Sequence, residues 1–279
     1  MSPPTSTSAT VLAAATLAPA QNILFVGNSF THGDISPTLT YNAGNITDAN
    51  GDGYGGIPGI FKQLTDSAGL NYAVTIEAVS GQTLQYHLEN KASIIGQAKW
   101  DIVVFQENST LPLPASRTGN PSLFQSASKS LISLVRSKNS AVKVYLYETW
   151  ARADLVYPDG TPYHNASVAV FTTDLRTSYA NVGAQNSVTE VVPVGDNFLK
   201  AINNGVADLN PYDSIDAGKV NIWASDSFHP SIYGAYLSAA TFFQHITGKA
   251  ATSLAVGPGT AAAGLGISSA DATRLLALV

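Results

Sequence analysis

The chain has 279 residues, a net charge of −5 and only 12% charged side chains, so it offers no basic surface for nucleic acid. It has no cysteine, which excludes disulfides and thiolate metal sites. Hydrophobic residues make up 45% of it, enough for one large core, yet no run reaches the roughly 18 apolar residues a membrane span needs.

Residues 1–20, MSPPTSTSATVLAAATLAPA, are low in complexity and end in an A-x-A-like pattern without a positive leader. They read as a linker or processed N-terminus, followed by a single domain over 21–279. The polar, uncharged composition points to a secreted or periplasmic protein. Sequons begin at Asn45, Asn108 and Asn165.

The first element, 22–27, is a short apolar run that stops at Gly27 and presents Asn28-Ser29, the pattern of a buried strand. A long polar insertion, 31–56, follows. Within it DANGDG has the D-x-N-x-D-G opening of a calcium loop, with Asp48, Asn50 and Asp52 as oxygen ligands. Position twelve of that loop is Gly59 rather than Glu, so a solvated turn is the competing reading and no cofactor is expected. A helix is expected over 57–69, a strand over 72–81 running into Ser80-Gly81, and a helix over 83–99. A third strand, 101–108, ends in Gln106-Glu107-Asn108. A helix over 121–139 opens with Pro121, and a fourth strand, 142–150, ends in Glu148-Thr149-Trp150. Residues 165–182 read as a helix, 188–195 as a fifth strand, 229–248 as a long late helix and 269–278 as a short closing one.

Alternating strands and helices call for a parallel sheet covered on both faces. Ligands then bind beyond the carboxyl ends of the strands. A nucleophilic serine there needs a base, usually a histidine oriented by a carboxylate. Of the five histidines, His229 alone follows an aspartate by three residues in a turn-like setting, ASDSFHPS. His87 and His245 fall within helices as packing or surface residues. On its own, Gly-x-Ser is more often a cap than a nucleophile.

The GNSF block, Gly81, Asn108 and Asp226-x-x-His229, in this order and each at the end of an element, resemble the four blocks of the SGNH (GDSL-like) hydrolase superfamily over about residues 22–248. The resemblance implies a flavodoxin-like three-layer α/β/α fold with a parallel sheet of about five strands. It implies ester hydrolysis, often of acyl groups on carbohydrates or lipids. Ser29 would be the nucleophile, His229 the base and Asp226 its orienting partner. The backbone N–H groups of Ser29 and Gly81 and the Asn108 amide would hold the oxyanion. Two departures stand out. Asn28 occupies the place of the usual aspartate, and Gln106 that of a glycine, which leaves Gln106 or Asn108 as the amide donor. Gln106, Glu107 and Trp150 are candidates for substrate contact. The expected substrate is an ester of a carbohydrate or other small polar molecule. An acyltransferase or a non-catalytic carbohydrate-binding module on the same scaffold are the alternatives.

Overall fold

The computed structural model describes residues 19–279; the terminal segment read as a linker lies almost wholly outside them. The strands are β1 (Gln21–Gly27), β2 (Thr47–Asp48), β3 (Tyr72–Ala78), β4 (Ile102–Phe105), β5 (Lys143–Tyr147) and β6 (Glu190–Val192). They form one sheet of six strands in the order β2-β3-β1-β4-β5-β6, and every pairing is parallel. Ile23, Leu24, Phe25 and Val26 of β1 are buried, as expected of a central strand covered on both faces.

The main helices are α1 (Ser29–His32), α2 (Gly56–Ser67), α3 (Leu84–Asn90), α4 (Ala92–Ile95), α5 (Pro121–Lys138), α6 (Val168–Gln185), α7 (Val194–Asn203), α8 (Ile232–Thr247), α9 (Ala261–Gly264) and α10 (Ser269–Leu276). One layer is built on the α2–α8 contact; the other joins α3 and α4 to α5, and α5 to α6. The result is a three-layer α/β/α sandwich. The strand order reverses at β1: the chain leaves it for β3 on one side and returns to β4 on the other. Such a switch point opens a crevice at the carboxyl ends of the strands.

The structure departs from the sequence reading in several places. The helix expected over 83–99 is two, parted at Lys91, whose ammonium reaches Asn50 Oδ1 at 2.7 Å. The strand expected over 188–195 stops at Val192, because Pro193 has no N–H for a ladder and instead precedes α7. The polar insertion contributes a sixth, two-residue strand, β2, at the edge of the sheet.

Trp150 is fully buried. Its ring lies between Phe30, 4.6 Å away at 19°, and Phe198, 4.6 Å away at 8°. Its Nε1–H donates to Phe228 O at 2.9 Å. A candidate for substrate contact in the sequence, Trp150 instead stacks on two buried phenylalanines. Trp150→Ala should cost about 3–5 kcal/mol of stability. Thermal denaturation should show a melting temperature lower by roughly 10 °C.

Candidate active site

At the switch point, β1 gives way to α1, a single turn capped by the Asn28 side chain, whose Oδ1 accepts from Phe30 N at 3.1 Å. Gln106, the residue after β4, locks this turn. Its Oε1 accepts from Asn28 N at 2.9 Å and from Thr31 Oγ1 at 2.9 Å. A Cβ on Gly27 would collide with those same atoms, Thr31 Oγ1 and Gln106 Oε1. The strand ends in glycine so that this lock can close beneath Ser29. Asn28 also does what an aspartate could not: its Nδ2 donates to Gln82 O at 2.8 Å, tying the serine turn to the loop after β3.

That loop carries Gly81 at φ +78°, a left-handed conformation that favours glycine. Asn108 stands beside it. Asn108 Oδ1 accepts from Thr110 N at 3.2 Å and from Thr110 Oγ1 at 3.1 Å. Its oxygen is therefore occupied and its NH2 group is turned toward Gly81 O, 3.4 Å away. Asn28, Ser29, Gly81 and Asn108 share the wall of one small cavity of about 110 Å3. The Gln106 amide is spent elsewhere: its oxygen holds the serine turn, and its Nε2 donates to Glu107 O. Of the two candidate amides, Asn108 is the one that borders the cavity.

Glu107, a candidate for substrate contact, is fully buried. Its Oε1 accepts from Leu84 N at 3.0 Å and from Asn108 N at 2.6 Å. Burial pushes its carboxyl up to about 7, against the pull of those two hydrogen bonds. Gln106, Glu107 and Trp150 all lie beneath the site and support its loops rather than line its cavity.

The loop before α8 brings in the remaining pair. Asp226 Oδ1 accepts from the N–H groups of Phe228 at 3.1 Å and His229 at 3.0 Å. Asp226 Oδ2 lies 2.6 Å from His229 Nδ1. Burial works to raise the Asp226 pKa, but the His229 side-chain bond and the two N–H groups outweigh it and hold the carboxyl below its usual range. An ionised carboxylate can only accept, so Nδ1 carries the proton, and in the neutral imidazole Nε2 is then the acceptor. Nε2 is buried and has no hydrogen-bond partner among the described residues. The loop is stapled by Ala224 N to His229 O at 2.8 Å and by Asp154 N to Ser227 O at 3.2 Å. Ser227 sits at φ +65°, a sparsely populated conformation for a non-glycine residue. Phe30 and Phe228 bring the two halves together. Both line the cavity, and the Phe30 and His229 rings are 5.6 Å apart.

Three further neighbours were given no role by the sequence. Asp34 Oδ2 lies 3.7 Å from His229 Nε2. Ser109 and Arg152 line the cavity beside Asn108. The end of the fourth strand did single out this region, but Arg152, two residues beyond Trp150, is the side chain that reaches the cavity. No local signal marks Asp34, which stands in the polar insertion.

The residues of the calcium-like loop turn inward on one another. Asp48 Oδ1 accepts from Asn50 N at 2.9 Å and Oδ2 from Tyr54 N at 3.0 Å, while Asn50 Oδ1 takes the Lys91 ammonium. Among the described residues no group of three or more His, Cys, Asp or Glu side chains is gathered as a metal site would need. A larger hollow of about 350 Å3 opens beside Gln21, Asp101 and Lys143. It lies where β1, β4 and β5 begin, the end of a parallel sheet away from the switch-point crevice.

No protein-family model matches the chain, and no curated protein matches it. Solved structures do. A DUF4886 family protein from Bacteroides uniformis is 14% identical over 93% of each chain, with a TM-score of 0.63. A GDSL-like lipase from Parabacteroides merdae is 18% identical over 84% of this chain and 99% of its own, with a TM-score of 0.59. An acetylxylan esterase from Geobacillus stearothermophilus is 15% identical over 81% of this chain and 94% of its own, with a TM-score of 0.56. With its parallel sheet of six strands flanked by helices, the chain has the fold of the SGNH, or GDSL-like, hydrolases.

Proposed function

We propose that the protein is a serine esterase of SGNH type that hydrolyses acyl esters of carbohydrates or other small polar alcohols. The observation that carries this reading is His229. Its Nδ1 is held by an ionised carboxylate and its buried Nε2 makes no hydrogen bond among the described residues, beside a cavity that gathers Ser29, Gly81 and Asn108. An acetylxylan esterase among the similar folds supports the carbohydrate side of the proposal.

In this reaction His229 Nε2 takes the Ser29 Oγ proton as Oγ attacks the ester carbonyl carbon. The carbonyl electron pair moves to oxygen, where the N–H groups of Ser29 and Gly81 and the Asn108 amide receive it. Collapse of the intermediate breaks the bond to the alcohol oxygen, and His229 returns the proton to it. Water then attacks the acyl-enzyme by the same route, giving the carboxylic acid and free Ser29. Asp226 stays ionised throughout and steadies the imidazolium.

Asn108→Ala tests the oxyanion assignment. Losing one such donor should lower kcat on a nitrophenyl ester about 100- to 1,000-fold, with KM little changed. Parent-like kcat in the variant would remove Asn108 from the reaction.

A further inference from the structure

A carbonyl carbon attacked by Ser29 has three substituents to place: the oxygen, the alcohol and the acyl chain. The oxygen goes to Gly81 and Asn108. The alcohol must leave toward His229 Nε2, the side on which Asp34 stands 3.7 Å away. The acyl chain is left with the corner closed by Ser109, Arg152 and Phe228. Arg152 is fixed there from several sides. Its Nε donates to Asp154 Oδ1 at 3.0 Å, its Nη2 to Asp154 Oδ2 at 2.6 Å and its Nη1 to Ser109 Oγ at 3.2 Å. Its guanidinium lies 4.4 Å from the centre of the Phe228 ring.

A two-pronged carboxylate contact combined with stacking makes a rigid wall rather than a swinging cation. With Asp154 answering its charge, Arg152 is also poorly set up to capture an anion. Pockets for drug-sized ligands enclose about 300–1,000 Å3, whereas this one holds about 110 Å3. A methyl or ethyl group fits behind the carbonyl. A longer chain would have to push the guanidinium away from both partners and leave a charge unpaired.

We propose that Arg152 is the specificity-determining residue that blocks the acyl end of the site and restricts the enzyme to short acyl groups, acetyl above all. This rests on the esterase reading. Nothing in the fold alone requires it, since an open corner at the same place would accept long chains.

The test is kcat/KM on nitrophenyl acetate, butyrate and hexanoate for the parent, Arg152→Ala and Arg152→Met. The parent should lose roughly tenfold or more from acetate to butyrate and more again at hexanoate. Both variants should raise the hexanoate-to-acetate ratio at least about tenfold. Arg152→Met keeps an unbranched stem against Phe228, and a melting curve confirms that each variant is folded. A parent that takes hexanoate as readily as acetate would overturn the inference, and so would an unchanged ratio in both folded variants. Failure to hydrolyse any ester would overturn the esterase reading itself and the inference with it, whereas hydrolysis without chain-length preference overturns the inference alone.

Discussion

Ser29→Ala is expected to reduce ester hydrolysis by roughly 10,000-fold or more while leaving the fold intact. The reaction is to lose its nucleophile, but the turn that presents it is not to lose its anchors. Asn28 and Thr31 bind Gln106 Oε1, and Asn28 caps the turn. Ser29 Oγ makes no hydrogen bond among the described residues. The melting temperature should therefore move by no more than about 2 °C, as for a substitution that removes no buried partner. Residual turnover would come from direct attack of water on an ester carbonyl held by the oxyanion donors. A variant that retains a tenth of the parent's kcat would show that another group attacks the ester.

Asp226→Asn should cost about 10,000-fold in kcat through a proton in the wrong place. The Asn oxygen can still accept from the Phe228 and His229 N–H groups, so the loop keeps its shape. Its NH2 group then faces Nδ1 and requires that nitrogen to accept. The imidazole proton moves to Nε2, and Nε2 can no longer take the Ser29 proton. In the parent, burial works to raise the Asp226 carboxyl pKa, but the hydrogen bonds it receives win and keep it below its usual range. The sign follows: a depressed carboxylate pKa means that this orienting contact is complete above the ordinary carboxylate range. It fails only as pH falls through the lowered value. Loss of activity nearer neutrality therefore belongs to other groups. A kcat for Asp226→Asn within tenfold of the parent at neutral pH would contradict this role.

How much of this was legible in the sequence depended on what each residue had to do. Strands β1, β3, β4 and β5 could be read because burial on both faces makes a parallel strand a continuous apolar run. The end of β6 was hidden by that same cue, since the run through Val192 continues past Pro193 into Val194, which is already helical. The break at Lys91 depends on a contact with Asn50, far away in the chain, and no local pattern announces it.

At the candidate site, Ser29, Gly81, Asn108, Asp226 and His229 stand at element ends, where a ligand crevice is expected in a doubly covered sheet. Position at a strand end does not say which way a side chain turns. Gln106 and Glu107 were misjudged for that reason. Both turn inward, and the Oε1 atom of each accepts from backbone N–H groups of the loops above. Trp150 turns into a stack between Phe30, next to Ser29, and Phe198, and its Nε1–H holds the backbone oxygen of Phe228, next to His229. Asp34 and Arg152 reach the site only through tertiary folding.

The central claim is that Ser29 forms a covalent acyl-enzyme, and trapping tests it most directly. The purified protein would be treated with diethyl 4-nitrophenyl phosphate, which phosphorylates an activated serine, then digested and mapped by mass spectrometry. The account predicts one diethylphosphoryl group on the peptide that contains Ser29, with none on Ser29→Ala and far slower labelling of Asp226→Asn. An unmodified Ser29 peptide, or a label carried by another residue in both parent and Ser29→Ala, would contradict it.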